Sequence, residues 1–98
     1  VYTVHYWDDE TQLEDMIWTL QSLIRMGRIR YYALSNCTPT QLQKLISLCQ
    51  YHQWELPIFI QSQYNLLCRT VEWELIRLCQ THSIGFLGWS PLAGGWLS

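Results

Sequence analysis

The chain has 98 residues, a formal net charge of -2 at pH 7, 49% hydrophobic residues and 14% charged residues. This composition is typical of one small globular domain and excludes a disordered or fibrous chain. We expect no nucleic-acid partner and no membrane insertion, because there is no basic excess and no apolar run of roughly 20 residues.

The first predicted elements are a strand over residues 1–5 and a helix that follows an acidic turn. Thr11 and Glu14 are predicted to form a capping box, in which each residue's side chain satisfies a free backbone N–H at a helix start. Gly27 is placed to end this helix. The apolar stripe that predicts the helix recurs at helical spacing through Leu13, Ile17, Leu20 and Ile24.

The second strand is predicted over residues 29–34, and it ends at Ser35 and Asn36. Thr38 and Pro39 then begin a helix, because a capping hydroxyl is followed by a residue that lacks the N–H group. The apolar face of this second helix is formed by Leu42, Leu45, Ile46 and Cys49.

The third strand is predicted over residues 58–60 and continues into the polar residues that begin with Gln61. Thr70 is predicted to cap a third helix that ends near His82. A fourth strand over residues 84–87 leads into the segment GWSPLAGG, which begins at Gly88.

The resulting order β-α-β-α-β-α-β, with repeats of roughly 30 residues, predicts an α/β fold with parallel strands. The strands are nearly continuous apolar runs, as expected for strands buried on both faces. Polar or aromatic residues follow every strand, and neither GxGxxG nor GxxxxGK[ST] is present. This distribution favours part of a (β/α)8 barrel over a doubly wound nucleotide-binding sheet.

The cysteines and histidines do not form a metal-binding or disulfide pattern. No CxxC pair is present, and the three histidines are scattered along the chain. We therefore predict no metal site and reduced, buried thiols, as in a cytoplasmic protein.

Several residues at the predicted strand ends have both a structural and a functional interpretation. His5 is either a structural histidine or a hydrogen-bond donor to a substrate carbonyl. Ser35 and Asn36 are either a turn pair or, with Gln61, ligands of a planar carboxamide. Trp89 belongs either to the core or to the rim, where its indole would stack on a flat ring. The small residues after it could approach phosphate oxygens closely.

Four segments in this order, VHYWD, RIRYYALSN, IQSQYNLL and GWSPLAGG, resemble the aldo-keto reductases. The resemblance is greatest to the branch that shares features with potassium-channel β subunits, and it covers essentially the whole chain. It implies a (β/α)8 barrel that binds NADP(H) without a Rossmann motif and reduces aldehydes and ketones by hydride transfer. Residues 1–98 would then be the central part of one barrel domain, covering strands four to seven.

The resemblance also implies roles for the candidate residues. His5 matches the family's catalytic histidine. The nicotinamide carboxamide would be held by Ser35, Asn36 and Gln61, and Trp89 would stack on the nicotinamide ring. The loop along the cofactor pyrophosphate would contain Ser90, Leu92 and Gly94.

The resemblance leaves two further interpretations open. The family's proton-donating tyrosine, with its lysine and aspartate, lies on strands before this segment, so we expect the 98-residue chain alone to be inactive. One alternative is a regulatory nucleotide-binding subunit like the channel β subunits. His5 argues against it, because by resemblance those subunits carry asparagine there. The other alternative is a truncated, non-catalytic paralogue.

Overall fold

A computed structural model describes residues 1–5 and 13–98 of the chain. Strands and helices alternate through the described residues, and two short 3-10 turns, Thr70–Glu72 and Ala93–Gly95, accompany them. The strands are β1 (Tyr2–Val4), β2 (Tyr32–Ser35), β3 (Phe59–Gln63) and β4 (Gly85–Trp89); the helices are α1 (Leu13–Arg25), α2 (Pro39–His52) and α3 (Leu75–Thr81).

The four strands form one parallel sheet in the order β1-β2-β3-β4. Each strand pairs with the next one along the chain, so the strand order never reverses. A doubly wound sheet would contain such a reversal at its switch point. The predicted α/β class with parallel strands is therefore confirmed, and the strand order is that of a barrel segment.

The core lies between the sheet and the helices. Leu34 of β2 and Ile60 of β3 are neighbours in the sheet and are at most 1% exposed. They pack in one cluster with Ile17 of α1 and with Leu42 and Ile46 of α2. Burying each such side chain contributes about 1.5–3 kcal/mol. The predicted apolar stripes of the first two helices thus form the helix side of the core.

Helix α2 begins as its sequence predicts. The Thr38 hydroxyl accepts a hydrogen bond from the Gln41 N–H, and the Gln41 side chain accepts one from the Thr38 N–H. Pro39 occupies the first turn, where its missing N–H costs nothing. Gly27 follows the end of α1 with a φ of 72°, also as predicted. The proposed Thr11 cap lies outside the described residues.

The third helix differs from the sequence prediction. Thr70 does not cap it; this residue begins the 3-10 turn, and α3 begins only at Leu75, without a side-chain cap. The Glu72 carboxylate accepts hydrogen bonds from Arg69 and from the Tyr64 hydroxyl. These contacts stabilise the turn that precedes the helix.

The strand boundaries also differ, because pairing with the neighbouring strand defines them. β2 begins at Tyr32, where its pairing with β1 begins, instead of at residue 29. β3 and β4 pair as far as Gln63 and Trp89 and are therefore longer than predicted. The prediction of burial on both faces is wrong for the two edge strands: β1 has no buried residue, and in β4 only Phe86 is half-buried.

Candidate functional site at the carboxyl edge of the sheet

Three predicted site residues lie on the face of the sheet opposite the helix core. Ser35 pairs with Gln61, and Gln61 pairs with Leu87, so Ser35, Gln61 and Leu87 share one face. Trp89 lies two residues beyond Leu87 on the same face. Ser35 is only 4% exposed, whereas Gln61 is half-buried. The parallel register thus brings a hydroxyl, an amide and an indole to one edge.

Asn36 connects the ends of the strands at this edge. Its Nδ2 donates a hydrogen bond of 3.0 Å to the His5 carbonyl after β1. Its Oδ1 accepts a 3.1 Å bond from Trp89 Nε1 at the end of β4. Its backbone N–H donates a 2.9 Å bond to the Gln61 carbonyl of β3. One residue therefore contacts the other three strands.

The Asn36 amide keeps capacity for a ligand. A side-chain amide has two N–H donors and two acceptor lone pairs, and the contacts with His5 and Trp89 use one of each. Asn36 also has a φ of 61°, a left-handed conformation that asparagine tolerates better than most residues. Strain of this kind occurs often at functional sites.

His5 and Trp89 lie at the exposed ends of the outer strands. His5 is exposed, and it joins the described hydrogen-bond network through its backbone carbonyl. Trp89 is 38% exposed, so it does not belong to the core of the described residues. Its indole orientation is fixed by the bond to Asn36.

The segment after β4 is a tight loop with several left-handed residues. Ser90 has a φ of 56° and Gly94 a φ of 67°. A Cβ at Gly94 would meet nothing within 4 Å, so its backbone is open to an approaching group. Leu92 is 52% exposed. Within the loop, the N–H groups of Ala93 and Gly95 donate to the carbonyls of Ser90 and Leu92.

Sequence reasoning did not identify Asn65, which holds this loop from the neighbouring strand end. Asn65 is 8% exposed, and its Nδ2 donates a 2.9 Å hydrogen bond to the Ser90 carbonyl. The residue was visible in the IQSQYNLL segment, but a lone asparagine after a strand does not reveal a partner that is 25 positions away.

A charged cluster stabilises the chain next to Asn65. Arg69 binds both carboxylate oxygens of Glu72 at 2.9 Å, and the Tyr64 hydroxyl donates a 2.5 Å bond to the same carboxylate. The Arg69 and Tyr64 hydrogen bonds lower the pKa of Glu72. The bond to Glu72 raises the pKa of Tyr64. All three groups therefore keep their ordinary charge near neutral pH.

Two grooves in the described part of the chain are not lined by Ser35 or Gln61. One groove of about 380 Å³ is lined by Asn36, Gln63 and Trp89 and otherwise by residues that include Ser62 and the start of α2. A larger groove of about 580 Å³ lies between α2 and α3. Within residues 1–5 and 13–98, no three His, Cys, Asp or Glu side chains form a candidate metal site, and no helix is long and apolar enough to cross a membrane.

Comparison with known proteins relates this arrangement to one family. The model of the Aldo/keto reductase family matches residues 1–98. An aldo-keto reductase of Babesia bovis is 38% identical over 94 residues, which cover 93% of this chain and 33% of that protein. L-glyceraldehyde 3-phosphate reductase of Escherichia coli O157:H7 is 31% identical over 100 residues, covering all of this chain and 28% of that protein.

A solved structure of this family has the same fold over the matched residues. The crystal structure of a thermostable aldo-keto reductase bound to the inhibitor epalrestat superposes with a TM-score of 0.87 at 31% sequence identity. The match covers 99% of this chain and 34% of that one, so the chain spans about a third of the length of such relatives. The predicted partial (β/α)8 barrel is confirmed. The chain belongs to the aldo-keto reductase family.

Proposed function

We propose that this chain is the central part, strands four to seven, of an NADP-dependent aldo-keto reductase. The complete protein would reduce small aldehydes or ketones in the cytoplasm, where its four free thiols would stay reduced. The observation that carries the proposal is the Asn36 network, which joins the ends of β1 and β4 beside Ser35 and Gln61. The family membership of the whole chain supports it.

The donor set fits a nicotinamide carboxamide. This group offers a planar pair, one acceptor and one donor, and needs partners of both kinds. Ser35 has a hydroxyl, Gln61 has an amide on the same face, and Asn36 retains one donor and one acceptor position. These three residues would hold the carboxamide, and Trp89 would cover the ring with its indole.

The loop after β4 fits the phosphate end of such a cofactor. Ser90, Leu92 and Gly94 lie in a turn in which Leu92 and Gly94 are exposed and Ser90 and Gly94 are left-handed, so an anion could approach its backbone. We therefore assign these residues to the pyrophosphate.

In this assignment the protein orients the reactants. When bound, a nicotinamide cofactor supplies the hydride that reduces a carbonyl carbon. Contacts from Ser35, Asn36 and Gln61 fix the plane of the cofactor, which is how positioning lowers the barrier of such a reaction. His5 stands at the rim, where its imidazole would donate a hydrogen bond to the carbonyl oxygen as negative charge develops there.

Two variants of the full-length protein test the role of His5. Affinity for NADPH is measured by quenching of tryptophan fluorescence, and activity by NADPH consumption with 4-nitrobenzaldehyde. His5→Asn should lower kcat by roughly 10²- to 10⁴-fold and leave the Kd for NADPH unchanged. His82→Asn is the matched control, because His82 follows α3, at the opposite end of the sheet from His5.

The outcomes separate the alternatives. Failure of the wild-type protein to bind NADPH or NADP⁺ would refute the proposal. Tight binding without turnover of any carbonyl would favour a regulatory nucleotide-binding subunit or a non-catalytic paralogue. Equal kcat values for the wild type and His5→Asn would show that this histidine takes no part in the reaction.

A further inference from the structure

Asn65 uses every polar atom of its side chain within the protein. Its Oδ1 accepts hydrogen bonds of 2.9 Å from the backbone N–H groups of both Leu67 and Cys68. Its Nδ2 donates to the Ser90 carbonyl at 2.9 Å. The side chain is almost fully buried, so these bonds are shielded from water.

The acceptor half of this side chain belongs to a rigid turn. The backbones of Asn65 and Cys68 also bond to each other in both directions, at 3.2 Å each. The next residues are fixed by the contacts of Glu72 with Arg69 and Tyr64. Asn65 is thus anchored on β3 and the turn after it, independently of the loop that follows β4.

The donor half holds a strained position. Ser90 has a φ of 56°, which is costly for a residue with a Cβ, and it is the first residue after β4. Its carbonyl accepts from Asn65 Nδ2 and from the Ala93 N–H at 3.1 Å. The Asn65 bond is the one that comes from outside the loop, so it ties the start of the loop to the neighbouring strand.

We infer that Asn65 is a positioning residue for the cofactor. By holding the Ser90 carbonyl, it fixes the conformation in which residues 90–94 receive the pyrophosphate, although its own side chain is turned to the protein and not to the ligand. The inference rests on the proposed function. It predicts that loss of this one hydrogen bond frees the loop before any cofactor is present.

Two substitutions in the full-length protein remove the donor and keep the turn. Asn65→Asp retains an acceptor for the Leu67 and Cys68 N–H groups but places an oxygen against the Ser90 carbonyl. Asn65→Ser is uncharged, retains a short acceptor for the turn, and does not reach Ser90. Leu67→Ala is the control, because the Leu67 side chain is 67% exposed and its backbone N–H is unaffected.

The first readout is amide hydrogen exchange in the absence of cofactor, followed by mass spectrometry. Both Asn65 variants should raise exchange in the peptide covering residues 90–98 about tenfold, as expected for the loss of one buried hydrogen bond. Exchange in the α2 peptide should not change. Because no cofactor is present, repulsion between the new carboxylate and phosphate cannot produce this effect.

The second readout is the Kd for NADPH, which should rise about tenfold in both variants and stay constant in Leu67→Ala. Unchanged exchange over residues 90–98, or unchanged affinity, would overturn the role of Asn65 while the wild type still binds NADPH. A wild-type protein that binds no nicotinamide cofactor would instead refute the proposed function, and this inference with it.

Discussion

Replacement of Asn36 tests how strongly the carboxyl edge of the sheet is held together. Asn36→Ala removes the hydrogen bonds to the His5 carbonyl and from Trp89 Nε1. Both bonds are at an exposed site, so each contributes about 0.5 kcal/mol, the lower end of the usual range. Alanine must also adopt the φ of 61°, which costs it roughly 1 kcal/mol more than asparagine. We expect Asn36→Ala to lower the free energy of unfolding by about 2 kcal/mol.

Asn36→Gly is the matched variant that separates the two contributions. It loses the same hydrogen bonds, but glycine reaches the left-handed conformation without the cost of roughly 1–2 kcal/mol. Part of this gain is offset by the greater freedom of glycine in the unfolded chain, about 0.4–1 kcal/mol. Asn36→Gly should therefore be about 1 kcal/mol more stable than Asn36→Ala.

Urea unfolding of the full-length protein, followed by circular dichroism, measures the free energy of unfolding of the wild type and of both Asn36 variants. Tryptophan quenching by NADPH gives the affinity of the same variants, and both should bind NADPH more weakly because the Trp89 indole loses its fixed partner. Equal stability of the alanine and glycine variants would refute the argument from backbone strain. Wild-type stability in both would show that the two side-chain bonds contribute nothing.

Three further predictions concern the core, the thiols and the isolated segment. Ile60→Ala should cost about 2–5 kcal/mol in urea unfolding, because Ile60 is 0% exposed, whereas Ile58→Ala at 40% exposure should cost less than half as much; equal losses would contradict the assignment of the core. Burial raises the pKa of Cys79 to about 11, so iodoacetamide at pH 8 should label half-buried Cys68 first, and rapid labelling of Cys79 in the native protein would contradict its burial. Because the folded protein favours the neutral Cys79 thiol, the stabilisation from this raised pKa is complete below about pH 9 and is lost as the pH rises through 11. The 98-residue polypeptide alone should show no cooperative thermal unfolding as a monomer, because both edge strands of its sheet are unpaired; a sharp calorimetric transition of the monomer would refute this. It should also show no reduction of 4-nitrobenzaldehyde, because the resemblance to the family places the proton-donating tyrosine before this segment; turnover by the polypeptide would contradict that account.

The elements that the sequence predicted correctly are those specified by local chemistry. Thr38 and Pro39 are sufficient to start α2, since a capping hydroxyl and a residue without an N–H group act within one turn. Gly27 ends α1 for an equally local reason. The ends of β2, β3 and β4 were predicted one to three residues too early, because Ser35, Gln61 and Trp89 still pair within the sheet, but their order along the chain was sufficient to assign them to one edge of a parallel sheet.

The features that could not be predicted depend on partners distant in the chain. Thr70 has the sequence of a helix cap, but the contacts of Glu72 with Arg69 and Tyr64 favour a 3-10 turn there. One hydrogen bond of Asn65 reaches Ser90, which the register between β3 and β4 brings next to it. The register between these two strands cannot be predicted from the periodicity or the motifs of the sequence.

Asn36 and Asn65, the two asparagines at this edge, both use the donor and the acceptor of their side-chain amide. Asn36 and Asn65 each follow a strand, and each uses Nδ2 to donate to a carbonyl and Oδ1 to accept from an N–H group. A carboxylate can only accept and an ammonium can only donate, so neither could join a carbonyl and an N–H group in this way. Since each side chain also secures a left-handed residue, Asn36 itself or Ser90, the amides hold backbone conformations that would otherwise be unfavourable. Aspartate at either position should therefore disturb the site more than its similar shape suggests.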